Sequence, residues 1–261
     1  MFEVARYESE RRAMLALTIV IAAAFYGTMF VAIAPSFTDL DLASLFAELP
    51  KQLTEGLGIE SMNTLSGILA VELYQVGWLL VLGIYLAYNA ASMIAGEIES
   101  GRIDSLLAAP VSRTRLAGEE FLSLLLPILA INAVTPIVLA VAASVLDQTL
   151  DPVNLVVLHA LAVPYLLCCA AVGFVFSVFF TDESHARIAA VGTLVVTYLL
   201  ETVFIGTDYE ILGIVAPMNY IDPTAILVDG SYDLAGGAIL LVAAVVLVLV
   251  GLVRFGRMDI G

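Results

Sequence analysis

Lysine occurs once in this 261-residue chain, at position 51, and the remaining nine of its ten positive charges are arginines. A phosphate-cradling G-x-x-x-x-G-K-[ST] loop needs a lysine beside its glycines. No such run exists, so the chain carries no P-loop of its own. Cysteine is limited to the adjacent pair Cys168 and Cys169, which cannot staple distant segments and are expected to pack as small apolar residues. Histidine occurs twice, as His159 and His185, on different segments. His159 and Cys168 lie about 13 Å apart along one helix, so they share no metal ion. Neither H-E-x-x-H nor G-x-S-x-G is present, and catalysis by this chain alone is not expected. A net charge of −15 leaves no basic footprint for nucleic acid.

Charge of either sign is sparse. Charged residues make up 13% of the chain and apolar residues 61%, against about 25% and roughly 45–50% in soluble domains. A water-soluble core has no use for that much apolar surface. The apolar residues fall in uncharged runs close to the roughly 20 residues that a membrane-spanning helix needs, not in the ~10-residue alternating segments of a membrane barrel. The fold class is therefore an all-α integral membrane protein. Six spans are expected: Ala13–Ala34, Leu69–Ala95, Leu116–Leu146, Leu155–Phe180, Ile188–Ile205 and Ala235–Val253. The first ends in an Ala-x-Ala sequence that resembles a cleavage site. Its length and the acidic Glu3, Glu8 and Glu10 argue for a retained anchor instead.

The arginines set the expected orientation. Arg6, Arg11 and Arg12 precede the first span, Arg102, Arg113 and Arg115 separate the second from the third, Arg187 follows the fourth, and Arg254 and Arg257 follow the sixth. Only Lys51 falls on the opposite face. By the positive-inside rule both termini are expected in the cytoplasm of a plasma-membrane protein. A seventh span drawn from residues 206–234 would expel Arg254 and Arg257, which counts against it. Acidic residues occupy the loops of both faces, and this pattern with a single lysine is expected of a halophilic archaeal proteome, where salt screens carboxylate repulsion.

Several loops carry structure of their own. Residues 1–12 form an amphipathic start along the inner surface, with Phe2, Ala5 and Ser9 on one side. The outer loop 35–68 holds an apolar set (Leu42, Leu45, Phe46, Leu49, Leu53, Leu57) at helical spacing around Pro50. Residues 206–234 form an apolar outer loop divided by Pro217 and Pro223, with the composition of a re-entrant element. Within the spans, Asn89 and Asn132 are expected to hydrogen-bond between helices, and Pro127, Pro136 and Pro164 to kink theirs. Glu201, near the outer end of the fifth span, either snorkels to the headgroups or lines an outward-opening cavity. Glu72 poses the same choice. Together Glu201, Asn89 and Asn132 are the candidates for a translocation path.

The cytoplasmic loop 96–115 reads GEIESGRIDSLLAAPVSRTR. Ile103, Leu106 and Leu107 make a one-turn apolar ridge flanked by Glu97, Glu99, Arg102 and Asp104. Pro110 ends that helix, Ser112 or Thr114 caps the next, and Arg115 pairs with Glu119 at i,i+4. On pattern alone the element is either a docking ridge for a soluble partner or a connector lying on the headgroups.

The same residues resemble the cytoplasmic loop of type 2 ABC transporter permeases, where G-E-x-E-x-G-T-L-x-x-L-L-x-x-P-V-S-R leads into the third span. Gly96, Glu97, Glu99, Gly101, Leu106, Leu107, Pro110, Val111, Ser112 and Arg113 match, while Arg102-Ile103 stands where Thr-Leu is usual. The likeness extends over most of the chain, to the ending RFGRMDIG. The resemblance implies a permease that pairs, as a homodimer or heterodimer, with a separate ATPase subunit holding ATP and magnesium. Glu97, Glu99, Arg102, Ile103, Leu106, Leu107, Pro110, Ser112 and Arg113 would then form the ATPase-coupling segment, and export of a hydrophobic or amphipathic substrate is the expected activity. No cofactor is expected in this chain itself. An ion-coupled carrier would show internal repeats with interrupted helices, and the two halves show none. A membrane scaffold would recruit no ATPase, and a lipid enzyme would need a convergent nucleophile and base.

Overall fold

The computed structural model describes residues 3–38, 61–103, 112–204 and 206–258. Among these, six helices are long and apolar enough to cross a membrane: Ala16–Ser36, Leu65–Glu99, Arg113–Val145, Pro152–Phe179, Glu183–Phe204 and Leu234–Gly256. They are the six spans expected from the apolar runs, and no strand occurs among the described residues. The multi-pass membrane class follows directly. The outer-loop apolar set between Leu42 and Leu57 lies outside the described residues.

The ends of the helices follow local chemistry. Asp151 caps the fourth span by accepting from Val153 N at 2.7 Å and Asn154 N at 3.3 Å, with Pro152 as the first helical residue. Asp222 and Pro223 repeat the arrangement at the short helix Pro223–Leu227. In both places a carboxylate takes orphan N–H groups and proline fills a position that needs none. The first helix runs unbroken from Glu3 to Thr38, past the expected end at Ala34. Pro35 does not stop it, and the buried Val31 and Ala34 hold its last turns in the core. Residues 3–12 contain neither glycine nor proline, so the amphipathic start is one continuous helix with the span rather than a separate piece.

The fourth span is the hub. It packs on the second, third, fifth and sixth, while the first lies chiefly along the third. Close approach is bought with small residues, most sharply at Gly173, where an added Cβ would stand 2.1 Å from the Ala87 carbonyl oxygen of the second span. Phe174, Cys169, Ala170 and Ala171 beside it are fully buried. Cys168 and Cys169 are free thiols packed in the core. The fifth span turns Ala186, Ala190 and Leu194 inward.

Two spans depart from simple α-helix. The third breaks at Ser123–Leu124, ahead of Pro127, and the buried Ser123 hydroxyl donates to Glu120 O at 2.6 Å. The second is π-wound over Leu69–Leu82. Windings of this kind are rare and gather at functional sites. Residues 206–234 form short turns, Glu210–Val215, Pro217–Tyr220 and Pro223–Leu227. They bury Ala216, Met218, Ile221 and Leu227 against the bundle and leave Tyr209, Ile211 and Val215 exposed.

Candidate functional site

Two regions carry the polar chemistry of the bundle. At the arginine-bearing end, Ala95–Glu99 forms the last helical turn of the second span, and Gly101 reverses the chain at φ 69°. Arg102 then folds back on Glu97 in a two-pronged ion pair, with Nε on Oε2 at 3.0 Å and Nη2 on Oε1 at 2.8 Å. Ile103 is buried at 2% exposure. Leu106, Leu107 and Pro110, with the rest of residues 104–111, lie outside the described residues. Ser112 resumes the chain as the cap of the third span, accepting from Arg115 N at 3.3 Å. Arg115 Nε meets Glu119 at 2.7 Å, the i,i+4 pair expected from the sequence.

Both flanks of this segment are tied to other spans, which the sequence did not disclose. Glu99 Oε2 accepts the backbone N–H of Glu183 at 2.7 Å, at the first residue of the fifth span. Glu183 in turn pairs with Arg187 at 2.6 Å, and the Arg187 guanidinium lies 4.3 Å from the centre of the Tyr88 ring in the second span. Asp182 accepts from His185 N at 2.8 Å, and this hydrogen bond holds its carboxyl below the ordinary aspartate range. On the other flank, Arg113 Nη1 donates to the Met258 carbonyl beyond the sixth span. Thr114 lies against Gly256 there. The loop between the second and third spans is thus joined to the start of the fifth and the end of the sixth.

The second region lies inside the bundle. The Trp78 indole donates to Asn132 Oδ1 at 3.2 Å, His159 Nδ1 lies 3.0 Å from the same oxygen, and Tyr74 OH lies 3.0 Å from His159 Nε2. An indole N–H only donates, so the Asn132 atom facing it is the oxygen. His159 Nδ1 must then carry its proton, Nε2 accepts, and Tyr74 donates. Asn132 Nδ2 completes its orientation by donating to Ile128 O at 2.8 Å. The second, third and fourth spans are thereby joined through one amide, with all four side chains buried.

Of the three residues expected along a path, Asn132 alone bridges helices. Asn89 instead donates to Tyr85 O of its own helix at 2.7 Å, which corrects the interhelical bond expected of it. Its acceptor is the carbonyl one turn back, reachable without a partner helix. Glu201 is half-buried beside Gly213 of the following turn and accepts from the Thr202 hydroxyl at 3.4 Å. His159, Tyr74 and Trp78 carried no mutual signal in the sequence, since the pairings span 85, 54 and 27 residues. Among the described residues no cluster of His, Cys, Asp and Glu could hold a metal ion.

No curated protein matches the chain in sequence. The model of a transporter family, described as ABC-2 family transporter protein, matches residues 4–260. Six apolar spans and a match over nearly the whole length place the chain in that family, as a membrane-spanning ABC transporter permease.

Proposed function

We propose that this permease exports a hydrophobic or amphipathic substrate across the plasma membrane, driven by ATP hydrolysis in a separate ATPase subunit docked on residues 96–115. The observation carrying this reading is the double anchorage of that segment, Glu99 to the fifth span and Arg113 to the end of the sixth. A push delivered there reaches the second and third spans through the chain, and the fifth and sixth through side chains. Glu97 and Arg102 brace the turn at Gly101, Ile103 seats it on the bundle, and Leu106 and Leu107 are the apolar side chains assigned to meet the partner. Ser112 starts the third span on the far side.

ATP and magnesium belong to the partner in this reading, which fits the missing P-loop. The arginine-bearing end faces the cytoplasm by the positive-inside rule, so both termini are inside. Two permease subunits assemble around the path. Carboxylates over both faces with a single lysine fit a high-salt cytoplasm, so thermal stability should rise from dilute buffer to molar salt. Equal stability in both would remove the halophilic source.

The test is to purify the tagged protein from its native membrane and identify what accompanies it. A stoichiometric P-loop ATPase is expected, and it should be absent from a Leu106→Asp/Leu107→Asp variant that still reaches the membrane. A lone chain from the native membrane, or an ATPase retained by that variant, would overturn the docking role.

A further inference from the structure

A groove of about 530 Å³ runs between the third and fourth spans, within the usual range for small-molecule sites. Ala133 and Ala160 leave it open, Ile137 and Val156 form an apolar rim, and Asn132 and His159 lie at its floor. The walls would suit any alkyl chain; the floor is selective. Asn132 is 7% exposed and has two amide hydrogens. One goes to Ile128 O, and no group among the described residues takes the other. A buried N–H without an acceptor is costly in an apolar medium, and a ligand oxygen would satisfy it.

Depth narrows the class. His159 lies seven residues into a helix that begins at Pro152, roughly 10 Å along its axis. The headgroup layer on each side of a bilayer is about 5–7 Å thick. With Pro152 taken at the membrane surface, the floor would sit just beneath that layer, where the hydroxyl or ester oxygen of an amphiphile meets its chain. We propose that this groove binds a neutral single-chain amphiphile, its chain along Ala133 and Ala160 and its oxygen accepting from Asn132. The site names a substrate class for the proposed permease and rests on that reading for transport, though not for binding.

Trp78 is the only tryptophan in the chain, and its indole bonds to the same amide, so its emission reports on the floor directly. The experiment adds a dibrominated stearyl alcohol to the full-length protein in lipid nanodiscs and follows bromine quenching of Trp78, with dibrominated octadecane as the probe lacking oxygen. The alcohol should quench saturably and about three- to tenfold more tightly than the alkane, the worth of one hydrogen bond. Ala160→Phe, which fills the groove from its exposed wall, should abolish the saturable phase and leave Trp78 emission without probe unchanged. Asn132→Leu should reduce the alcohol to the behaviour of the alkane. Equal, non-saturating quenching by both probes would mean ordinary surrounding lipid, and quenching by neither would mean that a second copy covers the groove. Either result overturns the proposal. The assay needs no ATPase, so a chain that binds the alcohol but recruits no ATPase would keep this site and lose the permease reading.

Discussion

Glu99 and Glu183 meet through an unlike pair of groups, the carboxylate of one accepting the backbone N–H of the other at 2.7 Å. The contact sits where the second span ends and the fifth begins. It supplies an acceptor to a helix N-terminus, where an anion is favoured, and links the two spans at that end.

Replacing Glu99 by Ala removes this acceptor and is expected to cost about 1 kcal/mol, the ordinary worth of a helix cap. With residues 96–115 as the proposed ATPase-coupling segment, the larger effect is expected on coupling. Hydrolysis by the assembled transporter should persist while transport per ATP falls, measurable as the ratio of the two rates in proteoliposomes. An unchanged ratio would show that the link to the fifth span transmits nothing.

Asn132→Leu leaves the Trp78 indole and the His159 ring nitrogen without their shared acceptor. The expected loss is about 1–3 kcal/mol of stability, since buried donors are orphaned. Thermal unfolding of the purified protein should show it, together with a shift in Trp78 emission. Asn132→Asp keeps an acceptor and should lose less if the carboxyl is protonated.

At Gly173 the partner atom is backbone oxygen, which cannot rotate away. Gly173→Ala should therefore push the second and fourth spans apart, at about 1–3 kcal/mol or more. Gly192→Ala, with open space around the new methyl, should be neutral or slightly stabilising. Comparing their thermal midpoints checks the claim, and equal midpoints would contradict the close crossing.

Much of this fold is legible in the chain because a membrane span is a local property: twenty apolar residues announce themselves wherever they pack. The cap at Ser112 and the Arg115–Glu119 pair were equally local. Periodicity reports a face but not which helix meets it, and so Asn89 and Asn132 looked alike in sequence. One finds a carbonyl four residues back, the other an indole and an imidazole on two different spans. Arg113 and Met258 lie 145 residues apart, and no local pattern could join them. The π winding that carries Tyr74 and Trp78 also has no sequence signature, for it depends on neighbours that hold the wider turn in place.

The most direct measurement of the central claim is ATP hydrolysis by the purified complex in proteoliposomes, wild type against Leu106→Asp/Leu107→Asp. Hydrolysis that responds to added amphiphile is expected in the wild-type preparation, with its loss in the variant while the six-span chain remains folded in the membrane. Hydrolysis of equal rate in both, or none in either with the chain purifying alone, would contradict it.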